Sequence, residues 1–240
     1  MEKRVPVHAA GEELHPLDNP VWSSLTGPHV GFGQRLRRVS RYPGDMTPYV
    51  AFAATPDEED WRDLARLAGP GTEVSIMHMG VTLPGGWQAL VAKDGVQMIA
   101  GQDGAMPVDA AADLLRLCPG DVPDMIDLAS RTRPGPFLSR TIELGTYLGI
   151  RRHGRLVAMA GERLHPPGWT EISAVCTDEA WRGQGLATRL VRVLEAEIRG
   201  RGETPFLHVP VAKQGTVLLY EALGFQVRRT VNFAVVRVPR

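Results

Sequence analysis

Lysine is almost absent from this 240-residue chain: Lys3, Lys93 and Lys213 are all it has, so arginine carries nearly the whole basic side. Net charge is absent too. Twenty-seven basic residues stand against 27 acidic ones, so no overall field recruits nucleic acid or an anionic membrane, and small neutral or mixed-charge partners fit better. Cysteine is limited to Cys118 and Cys176, both in apolar surroundings. They form no C-x-x-C or Cys/His pattern, which excludes a disulfide framework and leaves a reduced, cytoplasmic protein as the plain expectation. No uninterrupted apolar run reaches the roughly 20 residues that a membrane helix needs. The charges and Pro6 within residues 1–10 break any signal-peptide core. Also missing are H-E-x-x-H, a P-loop lysine and any paired metal-ligand spacing, so no metal is expected.

What is present reads as an ordinary globular chain, 43% hydrophobic and 22% charged. Residues 1–50 carry scattered turn signals, and Gly31-Phe32-Gly33 reads as a loop. Thr55-Pro56-Asp57-Glu58 predicts a helix start, with Thr55 as cap and Glu58 closing a capping box. Trp61, Leu64, Ala65 and Ala68 follow as its apolar face, and the acidic run 57–60 reads as dipole complement and solvated surface. Strands are expected at 72–79, 87–92 and 96–100, the last two joined by a turn at Lys93-Asp94-Gly95. The same layout recurs at 147–151 and 156–160 around Arg152-His153-Gly154, which hints at a duplication. Residues 101–108 are small, polar and turn-rich, and divide the chain into an N-terminal α/β unit (1–108) and a second unit (109–240). The second unit contains a helix over about 122–131, the hairpin, a strand at 170–176, a helix from Leu186 to Ile198, and a strand at 206–209. A short helix ending at Leu223-Gly224 and a strand at 231–238 complete it. This alternation predicts an α/β (α+β) fold, a mixed central sheet flanked by helices.

The stretch Arg182-Gly183-Gln184-Gly185-Leu186-Ala187 lies between a segment that alternates with a strand period and an amphipathic helix. Its glycines allow a sharp turn and close approach of backbone to a ligand. The first amides of the following helix have no carbonyl partners, and with the positive end of the helix dipole they favour a phosphate.

Together, the strand TEISAVCT, the loop RGQGLA and the later run LLYEALGF resemble the GCN5-related N-acetyltransferases (GNAT), and more closely their FR47-like branch, over about residues 112–240. Arg182, Gly185 and Ala187 match the family's most diagnostic motif. The resemblance implies acetyl-CoA, or another acyl-CoA, as co-substrate, with its pyrophosphate on the amides from Arg182 through Gly183, Gln184, Gly185, Leu186 and Ala187 to Thr188. It also implies that the backbone of Val175, Cys176 and Thr177 pairs with the pantetheine arm as an added strand. Tyr220 matches the family's tyrosine and becomes the candidate acid for the departing thiolate, since a phenol near pKa 10 and a thiol near 8.5 share a proton usefully. Where the family commonly has an asparagine this chain has Lys213, whose ammonium can reach a phosphate instead.

The acceptor expected is an amine of a small molecule or peptide, attacked directly in a ternary complex. An amine near pKa 10.4 must first lose its proton at neutral pH. Glu171 is the first candidate base, four residues before Val175 and on the same strand face. Glu143 and Glu162 are second choices. His165 and His208 are expected to be structural. The rival readings are a non-catalytic acyl-CoA sensor and a dinucleotide-binding oxidoreductase. The latter lacks its third glycine, because Thr188 stands there, and its acidic residue, because His208 and Pro210 stand there. The N-terminal unit either walls the acceptor pocket or is a degenerate copy of the same fold, and a homodimer is the default assembly.

Overall fold

The computed structural model describes residues 15–77, 82–101 and 113–240. Along the chain come α1 (Pro20–Leu25), β1 (Gln34–Leu36), β2 (Val39–Arg41), β3 (Tyr49–Phe52), α2 (Glu58–Ala68), β4 (Glu73–Met77) and β5 (Gln88–Ala100). Then follow β6 (Leu114–Arg116), α3 (Val122–Thr132), β7 (Tyr147–Arg152), β8 (Arg155–Glu162), β9 (Trp169–Thr177), α4 (Leu186–Gly200), β10 (Thr204–Pro210), α5 (Gln214–Ala222) and β11 (Phe225–Arg237). Among the described residues the strands form one mixed sheet in the order β1-β2-β3-β4-β11-β5-β10-β9-β8-β7-β6. All neighbours are antiparallel except β3 with β4 and β10 with β9.

Helical spacing in α4 puts Leu186, Leu190, Leu194 and Ile198 on one stripe, and all four are buried against Leu148, Ile150, Ile172, Leu207 and Val209 of the sheet. Each such side chain contributes roughly 1.5–3 kcal/mol by leaving water. Met125 and Leu128 of α3 pack in a separate cluster with Tyr147, Met159 and Cys176. Trp61 and Leu64 of α2 bury with Val39, Val50, Phe52, Val74 and Val236.

Several expectations are corrected. The cap of α2 is Asp57, whose carboxylate accepts from the Glu59 and Asp60 amides, while Asp60 reaches back to the Asp57 amide. The capping box therefore sits two residues later than Thr55 predicts, and Asp60 is buried rather than solvated. The hairpin expected at Lys93-Asp94-Gly95 is absent, because β5 runs unbroken for 13 residues. Gly95 serves close packing there: a Cβ would lie 2.2 Å from the Phe233 ring and 2.9 Å from the Val209 carbonyl oxygen. The charged-turn hint of a duplication goes with the hairpin. β11 also starts at Phe225, six residues before its apolar alternation begins at Val231. Residues 102–108 of the expected linker, and 78–79 of an expected strand, lie outside the described residues. The sheet itself crosses from one part of the chain to the other, since β5 hydrogen-bonds to both β10 and β11.

Candidate active site

The cradle is built as its glycines suggest. Gly183 and Gly185 have φ of 76° and 71°, a region that L side chains rarely adopt, and no neighbouring atom would touch a Cβ at either position. Backbone conformation, not crowding, demands glycine there. Gly185 caps α4 without any side-chain hydrogen bond, and no acidic residue stands in the first turn. The leading amides of α4 therefore face a cavity of about 270 Å³, walled by Thr177, Trp181, Arg182, Ala187, Thr188 and Leu219 among others. Gln184 is exposed. The Arg182 Nε donates to the Thr177 carbonyl at 3.3 Å, tying the loop to the end of β9. The Thr177 hydroxyl is buried without a partner, an orphan that an anionic ligand in this cavity would satisfy.

Beside the cradle the sheet splits. β9 and β10 are in parallel register only from Thr204↔Trp169 to Phe206↔Glu171. Past that point β10 continues on β5 and β9 continues on β8, so the edge of β9 from Ile172 to Thr177 is left open toward β10. Near the same place Gly161 pairs with Ser173 but Met159 with Cys176, a bulge that sets Ala174 and Val175 opposite Ala160. Ala174 takes φ of 52° there. The bulge switches faces: Ile172 and Val175 pack with the α4 cluster, whereas Cys176 joins the α3 cluster. This corrects the expectation that Glu171 and Val175 share a face, because regular alternation fails between them.

Tyr220, from α5, is buried beside Phe225, with ring centroids 5.8 Å apart. Burial and then the neighbouring Cys176 push its phenol above the ordinary tyrosine range. Burial likewise pushes the Cys176 thiol up to about 11, which makes it a poor nucleophile. Lys213, just ahead of α5, reaches the Arg133 carbonyl at the end of α3 at 3.5 Å.

A second cavity, of about 200 Å³, lies over β4, β11, β5 and β10, with Tyr49, Lys93, Pro134, Pro136, Arg163, His208 and Phe233 in its walls. Its floor is the Glu171 network. Glu171 is fully buried, accepts two hydrogen bonds from Arg163 at 2.6 and 2.9 Å, and accepts another from His208 Nδ1 at 2.7 Å. Burial alone would raise its pKa, but the Arg163 guanidinium outweighs that and holds the carboxylate down at about 2. Arg163 also stacks over Tyr49 at 5.0 Å. The tautomer of His208 follows from its other neighbour. Gln97 Oε1 accepts from Arg228 at 2.8 Å, so its amide nitrogen must donate both to the Leu17 carbonyl at 2.9 Å and to His208 Nε2 at 3.1 Å. His208 is thus the Nδ1–H form, with both ring nitrogens occupied. Sequence reading missed this network because Gln97 and His208 lie far from Glu171 in the chain, and Arg163, eight residues away, reaches it only through the turn between β8 and β9.

Glu143 lies elsewhere. It is clamped by Arg140 at 2.8 Å through both carboxylate oxygens and lines a third cavity together with Glu162 and His165. That cavity shares no lining residue with the other two. No group of three or more His, Cys, Asp or Glu side chains suited to a metal occurs among the described residues, and no helix among them is long and apolar enough to cross a membrane.

A mixed sheet split beside a glycine-capped helix is the framework that the sequence resemblance implies. The comparisons agree. The FR47-like protein family model matches residues 147–234. A GNAT-family putative acetyltransferase from Novosphingobium aromaticivorans is 35% identical, with a TM-score of 0.83, over 94% of this chain and 100% of that one. The chain belongs to the GNAT family. The N-alpha-acetyltransferase RimI of Mycobacterium tuberculosis is 36% identical over 83 residues, which span 33% of this chain and 51% of that relative, about half its length. A GCN5-related N-acetyltransferase from Kribbella flavida shares the fold, with a TM-score of 0.60 at 14% identity over 92% of this chain and 95% of that one.

Proposed function

We propose that this protein transfers an acetyl group from acetyl-CoA to the amine of a small molecule or peptide, by direct attack within a ternary complex. The observation that carries this reading is the open edge of β9 running straight into the cradle. The residues present fit the co-substrate. The pyrophosphate takes the amides from Arg182 to Thr188 and the Thr177 hydroxyl, and Lys213 adds a cation. The pantetheine arm takes the unpaired backbone of Val175, Cys176 and Thr177 as an added strand. Acetyl-CoA supplies the activated acyl group. The free amine bonds the acetyl carbon as the C–S bond breaks; Tyr220 gives its proton to the leaving thiolate and regains one, through water, from the acceptor nitrogen, so the step closes without a side-chain base. Glu171, spent on Arg163 and His208, positions those two side chains and is too weak a base at a pKa of about 2 to take the amine's proton. The acceptor enters the cavity over Tyr49, Lys93 and Phe233, so the part of the chain before residue 109 acts as its wall. RimI's name supports an α-amine at a peptide N-terminus as one acceptor to try.

The test is free-thiol release from acetyl-CoA across a panel of amines and N-terminal peptides, beside calorimetric CoA binding. Turnover with at least one acceptor is expected. Tight CoA binding with no turnover on any acceptor would show a sensor rather than an enzyme, and no CoA binding at all would sink both.

A further inference from the structure

The loop at Pro134 and Pro136 that closes one side of the acceptor cavity follows directly on Thr132 and Arg133. The Cys176 thiol lies against the Thr132 hydroxyl, and Lys213, just ahead of the helix that carries Tyr220, reaches the Arg133 carbonyl at 3.5 Å. The cavity therefore borders both the open strand edge and the tyrosine. At about 200 Å³ it is smaller than the roughly 300–1,000 Å³ of pockets for drug-sized ligands, so it holds one small acceptor or a single residue of a longer one.

Its walls are unequal in charge. Among the described residues no aspartate or glutamate lines it, whereas Lys93 and Arg163 do. Arg163 is matched, because Glu171 accepts from it at 2.6 and 2.9 Å. Lys93 is not: among the described residues its ammonium has no hydrogen bond or ion pair. The adjacent acid, Asp94, points to the other face of β5 by strand alternation and is held by the Asn232 amide. One uncompensated cation therefore stands in the wall. Beside it the wall is apolar. Lys93 stands directly across from Phe233 in the antiparallel β5–β11 register, and Val91 across from Val235, so all four side chains rise from one face. Phe233 is only half-buried, and Gly95 leaves room for its ring, since a Cβ there would lie 2.2 Å away. Val91 is exposed as well. A free ammonium beside unsheltered apolar surface offers a carboxylate an ion pair and an apolar body a place out of water. It repels an acceptor that carries further ammonium groups, such as a polyamine. In a peptide the N-terminal residue has no carboxylate to offer, because its carboxyl is an amide.

On the strength of the transferase reading above, we propose that the acceptor is a free amino acid with an apolar side chain, its carboxylate on Lys93 and its side chain on Phe233 and Val91. In the transfer its nitrogen bonds the acetyl carbon, the carbon–sulfur bond breaks, and the sulfur takes the Tyr220 proton while the nitrogen gives one up through water. The products are an N-acetyl amino acid and the CoA thiol. The carboxylate is untouched, so its contact with Lys93 is equal in ground and transition states and acts on KM.

The experiment measures free-thiol release from acetyl-CoA with the apolar L-amino acids, each beside its carboxamide, its decarboxylated amine and a dipeptide that begins with it. At least one free amino acid should exceed its three analogues by roughly tenfold in kcat/KM. Lys93→Ala should erase that preference through KM with kcat nearly unchanged. Lys93→Arg should keep it, and Lys93→Glu should reverse it in favour of the amine. Lys93 is exposed, so none of these variants disturbs the core. Calorimetry with the N-acetyl amino acid reads the same contact without turnover, and Lys93→Ala should weaken that binding by a similar factor. The proposal is overturned if amides, amines or dipeptides are acetylated as well as the amino acids, or if Lys93→Ala leaves the preference intact; the transferase reading survives either result. If CoA binds and no amine of any kind is acetylated, the transferase reading fails and the proposal falls with it.

Discussion

Tyr220 and Glu171 show how much a single side chain's surroundings decide. Burial raises the Tyr220 phenol, so it keeps its proton through the neutral range but is a weaker acid than the ordinary phenol near pKa 10, and gives that proton up only as negative charge develops on the leaving sulfur. Tyr220→Phe retains the ring and its contact with Phe225, so kcat should fall by about 10²–10⁴-fold with CoA affinity nearly unchanged, read by steady-state kinetics and calorimetry. For Glu171 the folded pKa of about 2 lies below the ordinary glutamate value of 4.5. Its stabilisation is therefore complete above pH 4.5 and is lost as pH falls toward 2. Glu171→Gln should remove that part of the acid-unfolding slope, an effect on the order of 3 kcal/mol, measured as denaturant midpoints between pH 2 and 6. In Gly185→Val, a β-branched residue at φ of 71° should cost about 1–3 kcal/mol. Measurable CoA binding should disappear while the circular dichroism spectrum stays native.

Among the elements, the bulged strand β9 does most to make the site. It aims Val175 and Cys176 at faces opposite to those regular alternation predicts, and it marks where β10 parts company. Ala174 holds the left-handed conformation. Ala174→Val should destabilise by about 1–3 kcal/mol and weaken CoA binding, whereas Ala174→Gly should leave both within about 1 kcal/mol; denaturant titration and calorimetry read the two. The elements themselves were largely legible: α3, α4, α5, β7, β8 and β9 stand where periodicity and glycine stops put them. β5 was not, because Lys93-Asp94-Gly95 carries every local sign of a turn. Only the Phe233 ring lying against Gly95 explains why the strand runs on.

At the scale of the molecule, the two parts of the chain share one sheet. β5 lies between β10 and β11, and Asp18 receives Arg228 and Arg229, each at 2.7 Å. A fragment of residues 113–240 would expose the β5-facing edges of both strands. Light scattering and circular dichroism should therefore find it aggregated or unfolded, and addition of residues 15–101 in trans should recover soluble material.

What the sequence alone determined is local: the left-handed glycines, the unpaired amides of α4, the apolar stripe behind them, and the tyrosine that follows at the family's spacing. Those depend on neighbours within a few residues, so a linear reading reaches them. Only the tertiary structure decided which carboxylate is free and which is spent. Glu171 meets Arg163, just past the end of β8, and His208 of β10, Glu143 falls in a different cavity, and Glu162 and His165 come to face one another beside Gly145. A one-residue bulge reverses the facing of a strand, and sheet order brings His208 to Glu171 from 37 residues away. Neither is written in any local pattern.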